Sequence, residues 1–297
     1  MTADAYVTVV SHEPNAVRAL HGVASLAMTT RSAWRLLRRT DGLIVVGGGM
    51  FGPGLPPLVH LLPAIAELAV LLCRDLAYVG IGVYPGAPRL VRAFFRRAAN
   101  RGQMTVRNEL SIRALDAQRK PPNVGDLAFQ LQPAPSAHVA SLLDLAGLRP
   151  DRPLLLIAPK AGTSDALTEQ MLSTLVAAVG HWISHRGEVA AIALSAQTDD
   201  AVDPAVSDVQ LAAAVAARTA TRIPVLGPNL HPAVAAGLIA LADAVIGLHF
   251  HAHVLAEATG TRCMGFDWGA KSSALIRELH IAAARNDQSV QNWLDET

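Results

Sequence analysis

The stretch "LADAVIGLHFHAHVLAEATG", Leu241 to Gly260, decides the fold. Ala244 to Gly247 is short, apolar and β-prone, and reads as a buried strand. From about His251 to Ala258 the residues favour a helix, which Gly260 stops. A brief turn joins the two. Working outward, the same alternation recurs. Candidate strands are "AYVTVV", "GLIVVG", "LAYVGIG", "MTVR", "LLLIAP", "VAAIAL", "RIPVLG", "AVIGL" and "RCMGF". Most are continuously apolar, as when helices cover both faces of a parallel sheet. Between them, "PRLVRAFFRRAANRG" and "DALTEQMLSTLVAAVGHWISHRG" read as amphipathic helices ending near a glycine. Alternation throughout predicts an α/β protein.

Within the opening stretch, His249, His251 and His253 stand at alternate positions. On a strand they would share one face and could bind zinc. On a helix, His249 and His253 would lie four apart, a spacing zinc sites also use. No glutamate follows His249 as the metalloprotease motif requires, and no remote ligand is evident. No metal is therefore assigned. A strand, turn and helix instead put His251 at a helix N-terminus, where the dipole and free N–H groups favour an anion.

Of the 297 residues, 51% are apolar and 16% charged, which fits two ordinary packed domains rather than disorder. The net charge of +1 gives no case for nucleic-acid binding. Cys73 and Cys263 lie in apolar sequence and read as reduced buried thiols of a cytosolic protein. The start "MTADAYVTVV" lacks the basic and apolar regions of a signal peptide. "LVHLLPAIAELAVLLC", Leu58 to Cys73, is shorter than the about 20 residues that span a bilayer and reads as a buried helix. Peripheral membrane contact stays compatible with this. Prolines 133, 135, 150 and 153 punctuate Phe129 to Pro153. They predict a first domain over residues 1–135, a second over 150–282, and a terminal helix over 283–297 that returns to the first domain. The crevice at the carboxyl ends of the strands is the expected ligand site.

Other motifs carry two readings each. "DGLIVVGGGMFGPG" runs a buried strand into Gly47, Gly48 and Gly49, either a tight turn or a backbone approach to an anion or sugar. "GQMTVRNELSIRAL" places Arg107 at a strand end, either a surface arginine or a fork for phosphate or carboxylate. Its neighbours Arg92, Arg96, Arg97, Arg101 and Arg113 read as a solvated face. Asn108 or Ser111 can cap the helix that follows. Asp126 in "NVGDLAFQL" either works on a sugar hydroxyl, as orienter or base, or satisfies a turn. Lys271 near a helix start suits an anion or Asp267.

Taken in order, "GLIVVGGG", "MTVRNELS", "VGDLAFQL", "LADAVIGLHFHAHVLAEATG" and "FDWGAK" resemble the polysaccharide pyruvyl transferase family. The resemblance covers roughly Tyr6 to Ile281. It implies two Rossmann-like domains in a glycosyltransferase-B-like fold. It also implies pyruvyl transfer from phosphoenolpyruvate to a sugar of a cell-envelope or extracellular polysaccharide or of its lipid-linked precursor, at the cytoplasmic face of a membrane and without a cofactor. By position, Arg107 and His251 correspond to donor contacts, Lys271 to the late lysine and Gly47 to Gly49 to the glycine turn. Asn108 and His249 are counted with the substrate-binding residues, and His251 and Asp126 with the catalytic ones. The chain departs from the family pattern where His249 replaces an arginine and Asn108 an acid. It also opens at what corresponds to the second strand, so the usual first strand is expected to be missing. A non-catalytic sugar- or partner-binding relative is the alternative, and a metal enzyme using the three histidines is a third.

Overall fold

The computed structural model describes residues 5–11, 13–47, 51, 57–72, 74–149, 151–161, 165–185, 187–194, 207–266, 273 and 276–297, apart from the side chains of 30, 33 and 57–61. Two compact units divide it, Met1–Leu127 and Ala128–Thr297.

The first unit contains β1 (Thr8–Ser11), α1 (Pro14–His21), β2 (Ala24–Ala27), α2 (Thr30–Leu37), β3 (Gly42–Val46), α3 (Pro57–Leu71), β4 (Asp75–Ile81), α4 (Arg89–Arg101), β5 (Met104–Val106) and α5 (Glu109–Leu115). β1 and β2 pair in parallel as a two-stranded sheet, and β3, β4 and β5 form a parallel three-stranded one. Phe51, Tyr78 and Phe95 centre the core on that second sheet. Their rings meet edge to face, at centroid distances of 4.5 and 5.1 Å. β3 was expected to be buried. Instead it alternates, with Leu43 and Val45 packed on the core and Ile44 and Val46 exposed. It is an edge strand, and the core covers one of its faces. α4 ends on Gly102 in the left-handed region, as its sequence foretold. Its basic face is partly tied down: Arg101 pairs with Glu67 at 3.0 Å, and Arg96 donates to the Leu115 carbonyl.

The second unit contains α6 (Ser136–Leu145), β6 (Leu154–Ala158), α7 (Asp165–His185), β7 (Glu188–Ile192), α8 (Asp208–Thr219), β8 (Val225–Leu226), α9 (Pro232–Leu241), β9 (Ala244–Gly247), α10 (Phe250–Thr259), β10 (Arg262–Phe266), β11 (Ala282–Ala284) and α11 (Asp287–Asp295). One parallel sheet runs β11-β10-β9-β6-β7-β8. Counted from β6, this is the doubly wound order 3-2-1-4-5-6 read from the other edge. The chain reverses between β6 and β9, and at such a reversal the carboxyl ends of the strands are where doubly wound sheets take their ligands. Leu155, Ile157, Val189, Ala191 and Ile246 face one core, whereas Leu154, Leu156, Ala190, Ile192 and Val245 face the other. Both faces are covered, which is why these strands are apolar throughout.

Two boundaries differ from expectation. The first unit ends at Leu127, not 135, and residues 128–149 belong to the second. The cause is packing: Val139 and Leu143 of α6 are buried in a core shared with α9. Gly237 of α9 leaves room there, since a Cβ would stand 2.7 Å from Val139. The terminal helix α11 belongs to the second unit. Its Val290 and Leu294 join the core around Trp182 of α7, and Asp295 meets His181 at 2.7 Å. Among the described residues, no helix is long and apolar enough to cross a membrane.

Candidate functional site

The three histidines of the opening stretch diverge. α10 begins at Phe250, so His249 is its N-cap and His251 lies in its first turn. His251 is exposed, with its ring edge-on to Phe250 at 5.5 Å. His253 is buried, and its Nε2 donates to the Gly247 carbonyl at 2.9 Å. Burial pushes the His253 imidazole down to about 4, against the pull of that carbonyl. It is a neutral packing residue. Gly265 leaves space beside it, where a Cβ would come within 3.0 Å of the ring. His249 is 8% exposed, and its Nε2 meets Asp208 Oδ2 at 2.7 Å. Among the described residues, no group of three His, Cys, Asp or Glu side chains could hold a metal ion.

This cluster sits at the chain reversal. Gly247 ends β9 against the end of β6, where a Cβ would stand 2.3 Å from the Ala158 carbonyl oxygen. Only glycine permits so close an approach. Leu248 donates its N–H to the same carbonyl at 3.0 Å. Just past β6, the Ala161 N–H donates to Asp208 Oδ1 at 2.9 Å, and Lys160 Nζ reaches the Ala161 carbonyl at 3.1 Å. Asp208 opens α8 behind Ser207, which forms a reciprocal capping box with Gln210. His249, although at an N-cap, makes no side-chain cap bond. The carboxyl ends of β6 and β9 therefore carry a helix start lacking a side-chain cap, an exposed imidazole and a lysine, a setting suited to anions.

The remaining candidates fall in the first unit. Arg107 follows β5, and its side chain is 2% exposed. It pairs with Asp126 at 3.1 Å and donates to the Tyr84 hydroxyl. Burial pushes the Tyr84 phenol up, while Arg107 pulls it down. Asn108 caps α5: its Oδ1 accepts from the Ser111 N–H at 3.0 Å and the Ser111 hydroxyl at 2.6 Å. That hydroxyl in turn accepts from the Val83 N–H at 3.0 Å. An aspartate could cap in the same way, so the exchange of acid for asparagine preserves the turn. Gly47 donates its N–H to the Val79 carbonyl, and a Cβ there would lie 2.6 Å from Ile81. Gly48, Gly49, Asp267, Lys271 and Cys73 lie outside the described residues. Cys263 is a free thiol, and burial pushes its pKa up.

Sequence reasoning passed over Asp208, Lys160 and Tyr84. Two signals were present. "SDVQ" carries Ser and Gln at capping-box spacing, which marks a helix start. Lys160 is one of three lysines in the chain and directly follows "LLLIAP". The contact of Tyr84 with Arg107 had no sequence signal, because it spans 23 residues between separate loops.

Known structures share the architecture. A glycosyltransferase from Rickettsia africae ESF-5 is 12% identical with a TM-score of 0.59, covering 97% of this chain and 79% of its own. The S. aureus MnaA–UDP co-structure is 10% identical with a TM-score of 0.61, covering 95% and 77%. The E. coli ADP-heptose LPS heptosyltransferase II is 14% identical with a TM-score of 0.55, covering 99% and 89%. Such identities bear on the fold alone, and they bear out two Rossmann-like units of the glycosyltransferase-B kind. Comparison by sequence with curated proteins returned no match. The family model for polysaccharide pyruvyl transferases matches residues 3–269. That span takes in β1 through β10 and the motifs of the resemblance up to Gly269, short of Lys271 in the last of them, so the chain belongs to the polysaccharide pyruvyl transferase family, a family of transferases.

Proposed function

We propose that the chain transfers a pyruvyl group from phosphoenolpyruvate to a sugar of a cell-envelope or extracellular polysaccharide, or to its lipid-linked precursor. The observation that carries this reading is the start of α10 at the chain reversal, with His251 exposed in its first turn. A helix N-terminus and nearby cations suit a donor that bears both phosphate and carboxylate. The chemistry needs an acid. Protonating the methylene carbon of the enol phosphate turns it into a methyl group and leaves a cationic centre. One sugar hydroxyl adds there and gives up its proton. A second hydroxyl then displaces phosphate and closes the ketal, and its proton leaves with the phosphate. His251 is the acid in this proposal, and His249 and Lys160 face the donor's charges, with Lys271 assigned to the donor by the resemblance alone. The glycine turn Gly47 to Gly49 belongs to the acceptor side. Arg107, Asn108 and Asp126 shape the end of β5 there. No cofactor is needed, and work on a lipid-linked acceptor would place the chain peripherally at the cytoplasmic face.

A second reading, a non-catalytic sugar- or partner-binding relative, draws on one observation: Arg107 and His249 are each already held by a carboxylate. Incubation with phosphoenolpyruvate and a panel of saccharides separates the two. Transfer gives saccharide-dependent phosphate release and a product carrying a carboxyethylidene ketal. Saccharide binding without donor binding supports the second reading instead.

A further inference from the structure

We infer that Asp208 is a positioning residue that fixes His249 for the donor anion, at the place where the family carries an arginine. The inference rests on the donor-binding reading above. Asp208 is 1% exposed, yet its carboxylate is not needed to start α8, because Ser207 and Gln210 close that capping box themselves. The carboxylate is spent elsewhere: Oδ1 accepts the Ala161 N–H at 2.9 Å, and Oδ2 meets His249 Nε2 at 2.7 Å. It thus joins the loop after β6, the start of α8 and the turn after β9, on the two strands that flank the chain reversal. A buried carboxylate of this kind would leave unmet hydrogen bonds if nothing required it.

The imidazole shows the same economy from its own side. His249 stands at the N-cap of α10 and does not use its side chain to cap it. An ionised carboxylate only accepts, so Nε2 donates to Asp208; Nδ1 can meet the donor anion only by donating as well, which the ring does when the bound anion holds a second proton on it. An arginine presents a rigid fork, whereas an imidazole can rotate and offer either nitrogen. Holding one nitrogen by a carboxylate removes that freedom, as it does for the histidine of a catalytic triad. Asp208 and His249 together thereby supply an oriented group where the arginine would be.

The test is phosphoenolpyruvate calorimetry on the full chain as wild type, D208N, H249R and the double variant. D208N keeps the shape of the side chain and is expected to weaken donor binding by about tenfold, the usual cost of losing an orienting partner. In the H249R background the same change is expected to cost less than about threefold, because the guanidinium presents its donors to the anion in a rigid fork without a carboxylate to turn it. A merely structural tie would cost the same in both backgrounds, and that result overturns the inference. So does wild-type affinity in D208N, or an H249R chain that binds no donor. A second readout does not depend on these variants folding. In histidine-labelled wild-type protein, the nitrogen spectrum is expected to show His249 protonated on Nε2, with its Nδ1 signal moving as donor is added. No movement overturns the inference while leaving donor binding itself intact. A wild-type chain that binds no donor removes the function proposed above, and this inference with it.

Discussion

Each unit buries one nitrogen-bearing side chain against one carboxylate, and the two do so differently. In the first unit, the Arg107 side chain is 2% exposed and is gripped by Asp126 and the Tyr84 hydroxyl. In the second, the His249 side chain is 10% exposed and has one nitrogen on Asp208. A guanidinium has five donors, and here two of its nitrogens are spent on Asp126 and Tyr84. An imidazole has two ring nitrogens, and one is spent. The first arrangement anchors the loop that carries Asp126 to the end of β5. The second orients a group beside an exposed imidazole at a helix start. Similar pairs can therefore serve opposite ends, and what separates them is how many of the side chain's nitrogens the fold has already used.

The largest expected effect tests the first half of that contrast. Asp126→Ala leaves a buried guanidinium without its carboxylate and should lower stability by about 4 kcal/mol in chemical denaturation. Replacing both partners with apolar residues, Arg107→Met with Asp126→Leu, should cost less than the single change. Equal stability of Asp126→Ala and wild type would make Arg107 a free ligand group after all.

Next comes pH, read in the second unit. The His253 imidazole falls from its ordinary 6.5 to about 4 in the folded chain. Between those values the unfolded chain binds a proton that the folded chain refuses. Stability should therefore fall as pH drops from about 6.5 to about 4, by on the order of 3 kcal/mol, and level off below. His253→Gln should flatten that segment of the profile.

Smaller effects sharpen the contrast. Gly247→Ala would press a methyl group onto the Ala158 carbonyl and should cost about 2 kcal/mol by thermal unfolding, together with donor binding. Asn108→Ala should cost about 1 kcal/mol through the lost cap of α5, while Asn108→Asp should stay within a few tenths. A large loss in Asn108→Asp would mean that this side chain does more than cap.

How much of this was legible in the sequence depended on whether the cause was local. Strands of the second unit showed as apolar runs because helices cover both faces of its sheet. α10 showed its end through Gly260, whose φ of 72° favours glycine. β2, "ASLA", and β11, "AAA", were missed. Alanine and serine have little strand preference, and these segments are strands only because β1 and β10 pair with them. β3 was misjudged because an apolar run does not tell whether one face or both will be covered. The domain boundary erred for a related reason: prolines mark breaks in chain direction, but α6 is assigned to a unit by the packing of Val139 and Leu143. In the site, His251 was placed correctly by its position on the helix. The partners of His249 and Arg107 lie 41 and 19 residues away, beyond any local pattern.

The central claim is that the donor's charges are met at the start of α10 in the second unit. Phosphoenolpyruvate titration of the wild-type chain beside His251→Ala, with both shown to be folded by thermal unfolding, tests it most directly. The expected result is measurable binding by wild type and affinity lower by about tenfold or more in His251→Ala, the cost of about one charge-assisted hydrogen bond. Equal affinity in the two chains would contradict the claim and move the donor site away from α10.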